Sequence, residues 1–424
     1  MKLIDELKAR GLVEALTDPE IEKALEKPTT VYCGFDPSAR SLQAGNLVSI
    51  MVLKRFQQAG HKVIALVGGA TGLIGDPSGK SAERNMLTIE QVEENKRGIR
   101  DNLSRILDFD GPNPAIMVDN YDWYKATSAI EFLRDIAINF RVPQMLAKES
   151  VKKRLEASEG ALTFTEFSYQ ILQGNDFLHL YDNFGCTLEV GGADQWGNIT
   201  AGTDLVHRMR GKTAYGLTFP LLLDSSGRKF GKSEGNALFM NGEMTPVFDW
   251  YQYFLRAADA DVIRYLKVFS MKSLEEIAAL EEAMKANPEA RIPQKALAEE
   301  LTLMVHGEEG LKKAQAATAA LFGAKSADAS NKMDAETVLQ VFANVPSAEV
   351  AKADVVGKPV FAVAASAGMF KSNGEARRMA QQGGLSLNDA KVDDKRVFEE
   401  ADIVDGKVAV LRSGKKNHFL LKIS

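Results

Sequence analysis

Five short stretches of the chain carry side chains that could do chemistry. In "SSGRKFGKSEGNA" (225–237), Lys229 and Lys232 stand three apart among Gly227, Gly231 and Gly235. Two flexible ammonium groups on a glycine-rich loop can close on a polyphosphate and release it, although a solvated basic loop would read the same way. In "FTEFSYQILQGNDF" (164–177), Tyr169, Gln173 and Asp176 fall at i, i+4 and i+7, on one stripe of a helix. A phenol, an amide and a carboxylate in line describe either a solvated face or a pocket wall. "GGATGLIGDPSGKS" (68–81) holds Asp76 and Lys80, and Arg84 follows. It is not a P-loop, because only three residues separate Gly75 from Gly79, and Ala70 breaks a dinucleotide fingerprint. In "LEVGGADQWGNIT" (188–200), Asp194 and Gln195 follow Gly191–Gly192 at a strand end. "SLQAGNL" (41–47) sets two neutral amides, Gln43 and Asn46, around Gly45 at the start of a helix.

The elements around these stretches must position them. "TTVYCGF" (29–35), "KVIALVGG" (62–69) and "PAIMVDN" (114–120) read as buried parallel strands, with helical spacing over 47–59 and 88–108. The alternation is that of βαβ units, so the fold class expected is α/β, an open Rossmann-type parallel sheet over 1–223. Such sheets bind ligands at the carboxyl ends of their strands, where the polar stretches lie. A basic loop over 224–246 follows. The spacing then turns helical over 247–323, with Ser273 and Glu276 at capping-box distance, and predicts an all-α domain. Residues 324–352 are small and polar at their start and read as a linker. A small α+β unit is expected over 353–424, with a helix at 373–382 and alternating strands after it.

The 424 residues are too many for one ordinary domain, and 45% hydrophobic with 26% charged is a globular composition. No apolar run reaches the ~18–20 residues of a membrane span. The amphipathic, acid-bearing start "MKLIDELKARGLV" has no signal-peptide core, which gives a cytoplasmic expectation. Cys33 and Cys186 have neither disulfide-framework nor metal-ligand spacing, so no metal site is expected. A net charge of −5 speaks against unspecific coating of nucleic acid and leaves room for a local basic patch.

"YCGFDP", "GGATGLIGDPSGKSAER", "FTEFSYQILQGNDF", "GGADQWGNIT" and "KFGKSEG" together, in order and spacing, resemble the bacterial tyrosyl-tRNA synthetases, which are class I aminoacyl-tRNA synthetases. The likeness spans essentially the whole chain. It implies that Tyr32 and Asp176 read the phenol hydroxyl of tyrosine, and that Asp76, Tyr169 and Gln173 hold its ammonium with Gln195 nearby. By the same resemblance Gly34, Asp36, Ser38, Gly192 and Asp194 line the adenylate site, with Gly45, Lys232 and Ser233 at the ATP, while Lys80, Arg84, Lys229 and Lys232 take the pyrophosphate. A pocket built to pair a phenol hydroxyl leaves buried groups unsatisfied when phenylalanine enters. The implied substrates are L-tyrosine, ATP with Mg²⁺, and tRNA(Tyr). No editing domain is evident.

The chain departs from the family in "SLQAGNL". There the first class I signature commonly reads His-Leu-Gly-His, and its histidines donate to the ATP phosphates. Here Gln43 and Asn46 stand in their places, and the five histidines lie elsewhere. Both amides can donate but neither can become cationic. Two readings follow: a slowed but active tyrosine–tRNA ligase, with neutral donors helped by the lysines and Arg84, or a paralogue with weakened activation chemistry that binds RNA. The resemblance also implies that 247–323 approaches the anticodon region. It further implies that 353–424 is an RNA-binding unit of ribosomal-protein type, whose Arg377, Arg378, Lys415 and Lys416 meet phosphates. Finally, it implies a homodimer through an insertion at about 107–160, where Ile130, Phe132, Leu133, Ile136 and Ile138 make a dense apolar helix.

Overall fold

The computed structural model describes residues 1–78, 86–156, 162–233, 236–322, 334–342, 345–388, 390–414 and 417–424. It divides into two compact bodies, Met1–Thr245 with Leu255–Val305, and Pro246–Phe254 with His306–Ser424.

The first body is built on six strands, β1 (Ala15–Leu16), β2 (Thr30–Phe35), β3 (Lys62–Val67), β4 (Ile116–Asp119), β5 (Cys186–Gly192) and β6 (Tyr215–Phe219). Their order is β1-β6-β5-β2-β3-β4, parallel throughout except for the short antiparallel edge β1. The three strands expected from the sequence are β2, β3 and β4. Apolar side chains on both faces bury β2 and β3, where Val31, Ile64, Ala65 and Val67 are each at most 1% exposed, while the edge strand β4 is half-buried. Chain continuation runs outward from β2 to β3 and β4 on one side, and from β5 to β6 on the other. The sheet therefore changes direction between β2 and β5, and a crevice opens at their carboxyl ends.

Helix α1 (Leu47–Gln58) follows β2, and α2 (Ile89–Ser104) opens on a capping box of Thr88 with Gln91. Helix α3 (Phe164–Phe184) opens on a second such box, Thr163 with Glu166, and ends at Gly185 in the left-handed region (φ 63°), a cap that favours glycine. Helix α4 (Trp196–Arg210) follows β5. Helices α5 (Asp259–Phe269) and α6 (Leu274–Ala286) belong to the same body, and α6 carries the expected Ser273–Glu276 box. The end of α5 is held by two buried guanidiniums. Arg55 Nη2 donates to the carbonyls of Val268 (3.2 Å) and Ser270 (2.8 Å), and Arg10 Nη2 to that of Lys272 (2.7 Å). Cations suit the carbonyl end of a helix.

The helical stretch over 247–323 is thus shared between two bodies. Helices α5 and α6 pack with the sheet, while Pro246–Phe254 and the residues from His306 pack with the C-terminal region. The helical run Ile292–Phe322 breaks at Gly307 (φ 71°, ψ −177°).

The apolar insertion is not one helix. It runs as Ala129–Glu131, a π-turn Phe132–Ile136, a 3-10 turn Ala137–Asn139 and, after a break, Val142–Leu146. Asn139 Nδ2 donates to the carbonyls of Asp135 (3.1 Å) and Ile136 (3.2 Å), and Pro143 then sets a new helix start.

The second body holds a five-stranded sheet in the order β11-β10-β12-β13-β9, comprising β9 (Ser347–Val350), β10 (Leu385–Leu387), β11 (Ala390–Lys391), β12 (Val408–Ser413) and β13 (Asn417–Ile423). A core including Val360, Phe398, Leu411 and Leu421 fills one face. The expected linker ends earlier than 352. Ala335–Val341 is helical and buries Val338 and Phe342 in a cluster with Val408 and Leu420, and β9 pairs in parallel with β13. Both elements are short and find their partners about 70 residues on, so local spacing could not show them.

Candidate active site

A cavity of about 460 Å³ occupies the crevice between the ends of β2 and β5. This is a size suited to a small-molecule substrate. Its floor is acidic. Asp176 and Glu189 are both 2% exposed, and Tyr32 beside them is 1% exposed. Burial pushes the Asp176 carboxyl up to about 7, against hydrogen bonds that favour its ionised form, and the Glu189 carboxyl up to about 8. Trp123 Nε1 donates to Asp176 Oδ1 (2.9 Å) and Asn120 Nδ2 to Oδ2 (3.0 Å). Trp123 is itself stacked on His179 at 4.2 Å.

Above the floor, three groups direct a donor into the protein. Tyr169 Oη donates to Asp36 Oδ2 (2.7 Å), Gln173 Nε2 to Glu189 Oε1 (2.8 Å), and Gln195 Nε2 to Asp76 Oδ2 (2.7 Å). With these donors held, the oxygens of Tyr169 and Gln173 are left to accept, beside the Asp76 carboxylate. Convergent acceptors are what an ammonium ion with three protons requires. Asp36 also accepts from Thr71 Oγ1 (2.7 Å), which in turn accepts from Asn120 Nδ2 (2.9 Å). A single chain of bonds therefore joins Tyr169, Asp36, Thr71, Asn120 and Asp176. Gly68 allows this approach, because a Cβ there would lie 2.0 Å from Asp36 Oδ1.

The amide pair sits at the mouth. Ala44–Asn46 form one 3-10 turn leading into α1. The Gln43 N–H donates to Asn46 Oδ1 (3.0 Å), so the asparagine oxygen is engaged at the turn and its NH₂ is the side left to donate outward. The turn is stitched to the end of the basic loop: the Ala44 N–H donates to the Leu238 carbonyl (2.8 Å) and the Met240 N–H to that of Leu42 (2.9 Å). Two short strands, β7 (Lys232–Ser233) and β8 (Asn236–Ala237), pair just before this seam. Gly231 lies against the turn at φ 80°, where a Cβ would come within 3.1 Å of Gly45 N. Phe230 anchors the loop on α5, with ring centroids 5.0 Å from Tyr265 and 4.9 Å from Phe269.

One wall or another of this cavity includes Tyr32, Gly34, Asp36 and Ser38 from the β2 end, Gln43, Gly45 and Asn46 from the turn, and Asp76, Tyr169, Gln173 and Asp176. Gly192, Asp194 and Gln195 after β5, with Lys229 and Lys232 of the loop, complete the expected residues found there. Ser233 is placed in β7 by its backbone. Lys80, Arg84, Lys415 and Lys416 lie outside the described residues. Arg377 and Arg378 are not at this cavity. They are exposed on the helix Asn373–Gln381 of the second body, and Arg377 Nε donates to Asp394 Oδ2 (3.0 Å). No cluster of potential metal ligands occurs among the described residues.

Sequence reasoning missed Glu189, Thr71, Asn120 and Trp123. Glu189 did leave a signal, as the one carboxylate inside the apolar run "TLEVGG".

A glycine-rich strand end, a nucleotide-sized crevice at the sheet's switch point and a basic glycine loop facing a helix start define a class I tRNA synthetase. In agreement, the family described as "tRNA synthetases class I (W and Y)" matches residues 23–323, and the "Tyrosine--tRNA ligase SYY-like C-terminal domain" matches 337–421. The tyrosine--tRNA ligase of Flavobacterium johnsoniae is 46% identical over 427 residues, covering 99% of both chains. That of Protochlamydia amoebophila is 44% identical over 424 residues, again covering 99% of each. Among solved structures, a C-terminally truncated mitochondrial tyrosyl-tRNA synthetase of Aspergillus nidulans superposes with a TM-score of 0.67 at 28% identity. It covers 74% of this chain and 92% of its own. The Archaeoglobus fulgidus tyrosyl-tRNA synthetase complexed with L-tyrosine shares the fold, with a TM-score of 0.56 at 17% identity, over 73% of this chain and all of its own. The chain belongs to the tyrosine--tRNA ligase family.

Proposed function

We propose that this chain activates L-tyrosine with ATP to tyrosyl-adenylate and pyrophosphate, then transfers the tyrosyl group to the 3′-terminal adenosine of tRNA(Tyr). One observation carries the reading: Tyr32 and Asp176 at a buried floor, Asp76, Tyr169 and Gln173 above it, and the Gln43–Asn46 turn with Lys229 and Lys232 all line one cavity. The phenol hydroxyl donates to Asp176 and accepts from Tyr32. The ammonium is held by Tyr169, Gln173 and Asp76, which leaves the carboxylate directed at the mouth. The carboxylate oxygen attacks the α-phosphorus, the bond to the bridging oxygen breaks, and pyrophosphate leaves with that electron pair. A carboxylate is already nucleophilic, so no general base is needed. The protein's part is alignment and stabilisation of the charge growing on the phosphates.

Asn46 Nδ2 and Gln43 donate to those oxygens without carrying charge, and Lys229, Lys232, Lys80 and Arg84 supply the positive field. Gly34, Asp36, Ser38, Gly192 and Asp194 line the adenylate, with Gly45 and Ser233 near the phosphates. Mg²⁺ arrives with the ATP. Arg377, Arg378, Lys415 and Lys416 serve tRNA phosphates, a role that makes tRNA binding salt-sensitive. The helices of 247–323 approach the anticodon arm. A homodimer forms through the insertion, where Ile130 (71% exposed), Leu133 (51%) and Ile138 (63%) present apolar surface. No helix among the described residues is long and apolar enough to cross a membrane, in keeping with work in the cytoplasm.

The reading of an RNA-binding paralogue with weakened activation chemistry finds no support in relatives that match end to end. The deciding experiment is tyrosine-dependent exchange of pyrophosphate into ATP. Exchange with tyrosine and little with phenylalanine is expected. Absence of exchange with tyrosine, in a folded chain that binds tRNA, would return the account to the paralogue.

A further inference from the structure

The proposed tyrosine pocket contains one acid that the mechanism above does not use. Glu189 lies on β5 with its Oε1 accepting from Gln173 Nε2 at 2.8 Å. Its Oε2 is buried and has no hydrogen-bond partner among the described residues. The hydroxyl of Tyr32, the register partner of Glu189 on the neighbouring strand β2, is likewise buried and makes no hydrogen bond of ordinary geometry, although the Glu189 carboxyl lies near enough to act on it. Two adjacent orphaned polar atoms at the base of a cavity mark an arrangement completed by a proton shared between them and a ligand that takes the remaining donor, because each left unsatisfied costs free energy.

Resting on the reading of the cavity as a tyrosine site, we propose that Glu189 is a positioning residue that acts as its neutral acid. Its Oε2–H donates to Tyr32 Oη, so that the Tyr32 proton is turned onto the substrate phenol, whose own proton goes to Asp176. The logic is one of donor count. The phenol oxygen must accept from Tyr32 while its O–H donates to the Asp176 carboxylate, which already takes Asn120 and Trp123 and still has lone pairs to offer. Tyr32 can point its proton at the phenol only if nothing else claims it. A neutral acid gives Tyr32 a donor and leaves its proton free. An ionised Glu189 would be a second buried carboxylate on the same floor and would claim the Tyr32 proton for itself. The bond from Gln173 works in the same direction. By holding Nε2 at the strand it turns the Gln173 oxygen toward the ammonium.

The surroundings keep the acid neutral. Burial is the main cause and outweighs the bonds from Gln173 and Tyr32, which favour the ionised form, and Asp176 on α3 adds to it. Tyr32 and Cys33 face it from β2, and Cys186 lies on its own strand. Burial raises all three above their ordinary values, so they stay protonated through neutral pH. From α4 the contact is Gly202, where a Cβ would come to 3.4 Å from Oε2. No cation touches the carboxyl among the described residues.

The test is binding of L-tyrosine to the full chain by calorimetry between about pH 6.5 and 9.5, in the wild type, Glu189→Gln and Glu189→Leu. A glutamine keeps one acceptor for Gln173 and one donor for Tyr32 but cannot ionise. With the Glu189 carboxyl at about 8, the competent fraction falls so that the wild-type Kd rises about eightfold from pH ~7.5 to ~9. This loss is expected to be missing from Glu189→Gln, whatever its affinity at neutral pH. Titration of the substrate's own ammonium is common to both proteins and cancels in the comparison. Glu189→Leu is expected to bind tyrosine more than tenfold more weakly than Glu189→Gln across the range. Parallel pH profiles for wild type and Glu189→Gln, or equal affinities for the Leu and Gln variants, overturn the proposal while leaving the tyrosine site standing. A wild type that binds no tyrosine at any pH overturns the tyrosine reading itself, and this inference with it.

Discussion

Asn46 is the residue at which the proposed chemistry can be separated from local structure. Its Oδ1 caps the Gln43 N–H at 3.0 Å, and its Nδ2 is the group that the proposed mechanism offers to the phosphates. Asn46→Asp keeps an oxygen for the cap but removes the donor and brings a negative charge to the mouth of the cavity. Asn46→Ala removes both. Loss of a donor to a developing oxyanion costs ~2.7–4 kcal/mol, or about 100- to 1,000-fold in the activation step. Loss of the cap alone costs ~1 kcal/mol and falls on stability rather than on rate. Asn46→Ala is therefore expected to lose about two orders of magnitude in the single-turnover rate of tyrosyl-adenylate formation, with a modestly lower Tm. Asn46→Asp should lose at least as much rate while keeping its Tm. Because the bond is made in the transition state, kcat and kcat/KM for ATP should fall together. Rapid-quench measurement of adenylate with labelled ATP reads these quantities. An Asn46→Asp variant that activates tyrosine within threefold of wild type, or an Asn46→Ala variant whose only change is a raised KM, would refute the assignment of this amide as a transition-state donor.

Three further expectations follow from the geometry. Gly231→Ala places a side chain at φ 80° and 3.1 Å from Gly45 N, so the loop must move off the turn; an activation rate lowered more than tenfold, with tyrosine affinity little changed, checks it, and wild-type rates would contradict it. Burial raises the Asp176 carboxyl from 3.8 to about 7, so between those values the folded chain holds a proton that the unfolded chain has released, and stability falls as pH rises through the window. Asp176→Asn removes that slope, and urea unfolding should show the variant gaining on wild type from pH ~5 to ~7 by up to about 2 kcal/mol, with parallel curves counting against the shift. Ile130→Glu puts a charge on a side chain that is 71% exposed within an apolar patch and should sediment as a monomer, whereas a dimer of unchanged strength would move the interface elsewhere.

What the sequence revealed depended on range. Tyr169, Gln173 and Asp176 share a helix, so their spacing alone put them on one stripe. The strands β2 and β3 were legible because burial on both faces leaves continuous apolar runs, and the half-buried edge strand β4 kept enough of one to show. Glu189 was hidden because a single acid in a strand is commonly a solvated edge, and only the packing of α3 and α4 over β5 shows that it is sealed in. Thr71 and Asn120 act through Asp36 and Asp176, about 35 and 56 residues away along the chain, and no local pattern records such a bond. The helix Ala335–Val341 and strand β9 were lost for the same reason, since their partners come from the last strands of the chain. The broken insertion shows the opposite failure. Apolar residues at helical spacing were present, but Asn139 and Pro143 ended the regular helix.

The account rests on one crevice reading the phenol at its floor and guiding phosphate departure at its mouth. The most direct measurement is a crystal structure of the chain with a non-hydrolysable tyrosyl-adenylate analogue. The account predicts the phenol oxygen between Tyr32 Oη and Asp176, the ammonium among Tyr169, Gln173 and Asp76, and the α-phosphate within hydrogen-bond reach of the turn carrying Gln43 and Asn46. An analogue bound with its phenol away from Asp176, or with its phosphate out of reach of both amides, would contradict it.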